Sequence, residues 1–422
     1  MKHLIDKKES YYAGAVFLVW PFLALVSAFL NFRKPWAKNV LWAFTAFVGF
    51  TFALTEGSTS DIARYVAGYQ NLHQVSMSIP EAVERFIEGG QIDILNTIIT
   101  YTLSRITDQQ EALTFVYAAI FGFFFSRNVW YVMERLKGRI SILTAILVIA
   151  FLFIIPIWFI NGFRMWTAAH VFLYGLLPYL CERNKNKLWI SFVAFLVHFS
   201  FVIPTALLIG YLFLGNRVVL YFGFFITTFF ISSIELAVVN DIVQNFTPER
   251  FQERSEPYLR GADDDGLDTI MPEEEGRSLN WYIVWYRKAL NFYLTGALVF
   301  MFINRKKFIL NDIGMANLFS FTLLFFGFAN FISHLPSLGR FLLIAHLLAM
   351  AVVIFYVQNK AEDKTVKQYA YLALPVLFLF IIVSIRRSLF FMSATSILGN
   401  PVLGFFTAGE NMPLEQFLRM LI

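Results

Sequence analysis

The sequence predicts an all-α polytopic membrane protein of about ten transmembrane helices, with a re-entrant hairpin and interfacial helices added. Three observations lead there. Of 422 residues, 58% are hydrophobic and 15% charged, with 50 phenylalanines, far more apolar surface than a soluble fold buries. Apolar runs close to the roughly 20 residues that cross a bilayer core recur along the whole chain. Ten of the 14 lysines sit in short connectors between those runs, so the net charge of +5 orients the chain in a membrane and is no nucleic-acid footprint. The single cysteine, Cys181, rules out an internal disulfide and a thiolate zinc site.

The windows fall near 11–31, 39–55, 111–131, 140–160, 164–181, 188–213, 218–238, 281–303, 313–333, 340–357 and 369–385. Tyr11 to Asn31 is too long for a signal-peptide core and is expected as a retained span. The connectors RKPWAK (33–38), ERLKGR (134–139), ERNKNK (182–187), NRKK (304–307) and QNKAEDKTVK (358–367) are expected on the cytoplasmic face. Placing all five there keeps residues 56–110 outside as a loop with interfacial helices, QIDILNTIITYTLSRI among them. It also makes 188–213 enter and leave on one side, as two half-helices joined around His198, Ser200 and Pro204. The price of this assignment is an N-terminal tail with Lys2, Lys7 and Lys8 outside. The domain plan is one integral membrane domain, 1–422, with a large external acidic loop at 239–280 and an external interfacial tail at 386–422. In that tail Leu414, Phe417, Leu418 and Leu421 recur at helical spacing.

The groups that could do chemistry lie on the outer face. Arg164 follows the Asn161–Gly162 turn at the lip of a span, where a guanidinium either lines a protein cavity or snorkels to headgroups. His198 and Ser200 occupy the turn of the hairpin, and irregular backbone at that depth predicts a cavity in which an imidazole can take a proton. Arg340 ends the connector HLPSLGR and could join Arg164 as a clamp on phosphate oxygens. Ser58 and Asp61 form a helix-entry pattern that sets Asp61, Arg64, Tyr65 and Gly68 on one face. His170 is expected to be a hydrogen-bonded packing residue, Arg287 and Lys288 aromatic-belt anchors, and Arg250 and Arg254 solvated loop residues. ADDDGLD (262–268) fails as an EF-hand loop, because positions one and twelve would be Gly261 and Pro272. No HExxH, P-loop or dinucleotide fingerprint is present.

SDIARYVAGY (60–69), NGFRMWTAA (161–169) followed by ERNKNKLW, VHFSFVIP (197–204) and GRFLLIAHL (339–347) stand in the order and spacing of the EpsG/Wzy family of bacterial polysaccharide polymerases, which the chain resembles over most of its length. It departs from the family pattern where Thr55 and Glu56 replace a further arginine. The resemblance implies a GT-C-like glycosyltransferase of the bacterial inner membrane, joining repeat units carried on undecaprenyl diphosphate at the outer leaflet. On the leading reading, a repeat-unit polymerase, Arg164, Arg340 and Arg64 are expected as the diphosphate ligands, His198 or Asp61 as the base, and Tyr65, Asn161, Ser200 and His334 as the acceptor channel, with His334 also a reserve base. Its partners would be the lipid-linked oligosaccharide and the bilayer, with a flippase and a chain-length regulator as candidates, and no nucleic acid. No cofactor is required, since a diphosphate already leaves readily, although the acidic loop leaves room for a divalent cation. The rivals are a lipid-linked oligosaccharide flippase, another lipid-sugar transferase such as an O-antigen ligase, and a structural partner in an export complex.

Overall fold

The computed structural model describes residues 2–54, 60–75, 78, 80–81, 84, 93–231, 280–335, 338–359 and 363–421. The acidic loop with Arg250, Arg254 and ADDDGLD, and positions 55–59, lie outside these residues. Every regular element among the described residues is helical, and Ser393 and Pro413 form an isolated antiparallel bridge. The chain runs through α1 (Lys2–Val19), α2 (Pro21–Leu30), α3 (Ala37–Phe50), α4 (Asp61–Gln74), α5 (Ile94–Ser104), α6 (Gln110–Met133), α7 (Ile142–Ile154), α8 (Phe163–Glu182), α9 (Lys185–Val197) and α10 (Val202–Leu214). It continues through α11 (Val218–Phe229), α12 (Trp281–Ile303), α13 (Ile313–Ile332), α14 (Phe341–Asn359), α15 (Lys364–Leu372), α16 (Leu374–Ser388), α17 (Ala394–Leu398), α18 (Pro401–Phe406) and α19 (Leu414–Leu421).

The expected ten spans are not found. Four helical stretches among the described residues are long and apolar enough to cross a bilayer: Gln110–Met133, Ile142–Glu182, Ile313–Ile332 and Leu338–Asn359, with Lys364–Leu372 plus Leu374–Ser388 a fifth if that bent pair counts as one. The shortfall has local causes. Pro21 has no amide hydrogen and holds Trp20 extended (φ −152, ψ 93), so the window 11–31 is two helices instead of one span. α2 turns back along α1, which brings Lys34 Nζ to 2.8 Å from Glu9 Oε2. The N-terminal helix therefore starts at the end of the bundle that holds the 33–38 connector. The 39–55 window yields a helix of only 14 residues, and the windows 140–160 and 164–181 fall within the one stretch Ile142–Glu182. Residues 188–213, expected as a hairpin and not among the ten spans, divide into two 13-residue helices, each about 20 Å long at ~1.5 Å per residue. The helix Trp281–Ile303 is long enough but carries Arg287 and Lys288 in its second turn.

Contacts define two ends. At one, Arg33 bonds the Gly138 carbonyl, Lys38 lies 3.5 Å from Glu134, Arg135 pairs with Glu182, and Gln358 donates to the carbonyls of Lys137 and Arg139. There too Arg183 donates to Asn317 at 3.0 Å, beside the start of α13. The basic connectors thus meet on one face. The stretch 142–182 is itself doubled: Glu182 pairs with Arg135, while Thr144, near the other end, bonds Gln358. Its reversal is the 3₁₀ turn Ile157–Gly162, which puts Arg164 at the opposite end.

α9 lies against α8, with Ser191 Oγ donating to the Phe172 carbonyl at 2.8 Å. Gly175 allows that approach, since a Cβ there would stand 2.4 Å from Ser191 Oγ and 2.7 Å from the Lys187 carbonyl oxygen. α10 then returns: Tyr211 donates to the Asn317 carbonyl, and Asn216 reaches the Asn317 side chain. Both feet of this hairpin are at the basic end, and its turn, His198–Phe201, is at the Arg164 end. α14 is buried on every side from Leu343 to Val357 and is the central post of the bundle. His170 is buried between the rings of Phe121 and Phe125 and bonded to Asn128, a packing role.

Candidate functional site

The reversal at 157–162 and the hairpin turn face each other across one carboxylate, Asp93. Asp93 is the N-cap of α5, where an aspartate ordinarily accepts an amide of its own first turn, yet it makes no capping bond. Its oxygens are used elsewhere. Oδ2 receives Arg164 Nη1 at 2.6 Å and lies 3.2 Å from His198 Nδ1, while Oδ1 accepts the Phe199 amide at 2.9 Å. The amide bond has a backbone cause: His198 is extended (φ −147, ψ 122), so α9 stops there and the Phe199 N–H needs a partner outside the helix. Burial alone would raise the Asp93 carboxyl, but His198, Arg164 and the Phe199 amide hold it at about 2. The group is 5% exposed and ionised at any physiological pH.

Arg164 stands in the first turn of α8, the unfavourable end of a helix for a cation. Asp93 offsets that, and Tyr65 completes the cradle. Arg164 Nε donates to the Tyr65 hydroxyl at 2.8 Å, and the guanidinium carbon lies 4.9 Å from the Tyr65 ring centre. Burial pushes the Tyr65 phenol up to about 12. Arg164 Nη2 has no bond to a described residue, and the side chain keeps 33% exposure. His198 is comparable: Nδ1 is held by Asp93, Nε2 has no bond to a described residue, and the side chain is 12% exposed.

Neighbouring elements fix this geometry. Asn161 Oδ1 accepts the Ile62 amide, tying α4 to the reversal. Tyr117 of α6 stacks on Phe163 with centroids 4.0 Å apart and donates to Asn96 of α5 at 2.5 Å. Trp166 packs so closely on Gly162 that a Cβ would meet its indole nitrogen at 2.8 Å. Ser200 Oγ lies 3.7 Å from Met165 Sδ, which pins the hairpin turn on α8.

Of the residues singled out in the sequence, Asp61, Tyr65, Asn161, Arg164, His198 and Ser200 come together. Arg64 reaches the edge; it pairs with Asp61 and is 71% exposed. Arg340 is at the same end of the bundle: Phe341, the next residue, packs on Phe201 of the hairpin turn at 5.9 Å. Arg340 is half-buried and bonds to no described residue. His334 is exposed after α13. Asp93, the centre of the site, was not singled out. Its signal was a lone acid at the polar-to-apolar boundary of QIDILNTII, where an N-cap is expected. Among the described residues no three His, Cys, Asp or Glu side chains gather as a metal site.

No curated protein matches the chain, and no solved structure does. The model of the EpsG family matches residues 15–396, nearly the whole chain and all of the site, and the protein belongs to the EpsG family.

Proposed function

We propose that the protein is a polysaccharide polymerase that joins lipid-linked repeat units at the Asp93–Arg164–His198 site. Family membership supports a membrane protein of the polysaccharide-polymerase type. The observation that carries the chemistry is the Asp93–His198 pair, with Nδ1 held by a carboxylate and Nε2 bonded to no described residue. That is the arrangement of an oriented general base.

The growing glycan is held through its reducing-end sugar on undecaprenyl diphosphate, the donor. A hydroxyl of the incoming lipid-linked unit gives its proton to His198 Nε2 and attacks the anomeric carbon. The new glycosidic C–O bond forms as the bond to the diphosphate breaks, and the diphosphate leaves with the electron pair. Asp93 keeps the Nδ1 proton in place and stabilises the imidazolium. Arg164, through the edge that bonds no described residue, and Arg340, likewise without a bond to a described residue, hold the charge that develops on the departing diphosphate. Tyr65 and Asn161 position Arg164 and the reversal. With this geometry Asp61 acts as a second counter-ion near Arg164, and His198 takes the role of base. The reading places the five basic connectors in the cytoplasm and the site at the outer leaflet of a bacterial inner membrane, with 188–213 as a re-entrant hairpin in a GT-C-like enzyme.

The test is His198→Gln in a producing strain, with the protein confirmed in the membrane fraction. Glycans stopped at one repeat unit per carrier are expected. Chains of ordinary length would remove His198 from the chemistry.

A further inference from the structure

At the basic end, away from the site, an open groove of about 830 Å³ lies between the α10–α11 junction and the start of α13. Its walls are Val219, Leu220, Leu310 and Ile313, exposed by 65, 63, 45 and 71%. Two guanidinium groups line it, Arg217 and Arg305. Each is anchored at one point to a backbone carbonyl: Arg217 Nε to Leu214 at 3.2 Å, Arg305 Nη1 to Phe302 at 2.8 Å. Arg305 also rests on the Phe302 ring at 3.9 Å. The remaining N–H groups of both have no partner among the described residues. The nearby acid, Asp312, caps α13 through the Met315 amide at 3.0 Å.

Hydrocarbon walls under two fixed cations, on the face where the connectors collect positive charge, match a molecule with acyl chains and a phosphate. We infer that this groove binds an anionic phospholipid of the inner leaflet, its phosphate between Arg217 and Arg305 and its chains along Val219, Leu220 and Ile313. The position gives the lipid a structural task. Asn216 at the groove joins Asn317, which also takes Arg183 and donates to the Leu180 carbonyl at 3.2 Å. The lipid braces the foot of the α9–α10 hairpin whose far turn carries His198.

The full-length protein is placed in nanodiscs of phosphatidylcholine with or without phosphatidylglycerol, and retained lipid is counted by native mass spectrometry. Wild type should keep phosphatidylglycerol in preference to phosphatidylcholine. R217Q/R305Q should lose that preference by about tenfold per guanidinium. R33Q, at the same end but outside the groove, should keep it. If the double variant fails to fold, Ile313→Trp fills the groove with both arginines intact and should expel the lipid. Equal retention of both lipids, an equal loss in R33Q, or displacement by inorganic pyrophosphate would overturn the inference. So would a second copy of the chain found seated in the groove.

Discussion

Asp93→Asn removes one charge and little volume from the centre of the site. The carboxylate receives Arg164 at 2.6 Å, His198 at 3.2 Å and the Phe199 amide at 2.9 Å. An asparagine keeps one acceptor for the amide, but it removes the carboxylate in contact with Arg164, leaving the more distant Asp61 as counter-ion, and lets the imidazole choose its tautomer. A carboxyl held at about 2 against an ordinary value of 3.8 corresponds to about 2–3 kcal/mol of stability. Breaking a fully buried pair costs about 3–5 kcal/mol, and Arg164, one-third exposed, brings this case to the lower end. The protein should therefore still fold, with a lowered melting temperature in detergent. Activity should fall further than stability, by about 10²–10⁴-fold, the range for a mispositioned general base. The assay is polymer formation per membrane-embedded protein, with Asp93→Glu as a carboxylate-bearing control expected to lie between the two. Ordinary chains from Asp93→Asn, alongside an inactive His198→Gln, would show that His198 works without Asp93 and would refute the reasoning.

The depressed Asp93 carboxyl sets a pH dependence. Its stabilisation is complete above the unfolded value near 3.8 and is lost as pH falls through about 2, so melting temperatures should drop across that window in wild type and less in Asp93→Asn. Gly175→Ala should destabilise by about 1–3 kcal/mol, because the added Cβ meets Ser191 and the Lys187 backbone between α8 and α9; an unchanged melting temperature would contradict the packing. Arg64→Ala should leave chain length within about twofold, since its exposed pair with Asp61 is worth little, and a shift to single units would place Arg64 in the site. A reporter fused to the N-terminus should report the same side as one in the 33–38 connector, as the Glu9–Lys34 contact requires; opposite sides would separate α1 from α2.

The helical class, the basic connectors and the turn at His198 were legible because each rests on a local pattern: hydropathy, charge, a polar break beside Pro204. Trp20–Pro21 carried the same kind of signal, but its consequence depended on whether α2 packs back on α1 or continues, which no local pattern states. That is one reason the span count failed; others are that Ile142–Glu182 takes in two of the expected windows and that Trp281–Ile303 carries Arg287 and Lys288. Asp93 escaped because its importance is entirely tertiary. In sequence it is one more acid before an amphipathic helix, and only the folded chain sets it between residues 71 and 105 positions away. The clamp of Arg164 and Arg340 looked symmetrical in sequence. In the structure one arginine is already committed to Asp93 and Tyr65, and the other is unbonded among the described residues.

The most direct test is a reconstituted reaction with a synthetic lipid-linked repeat unit, in which released polyprenyl diphosphate and new glycosidic bonds are counted together. One diphosphate per bond is expected from wild type, with neither product from His198→Gln although that variant still binds the lipid. Bond formation without diphosphate release, or undiminished turnover by His198→Gln, would contradict the account.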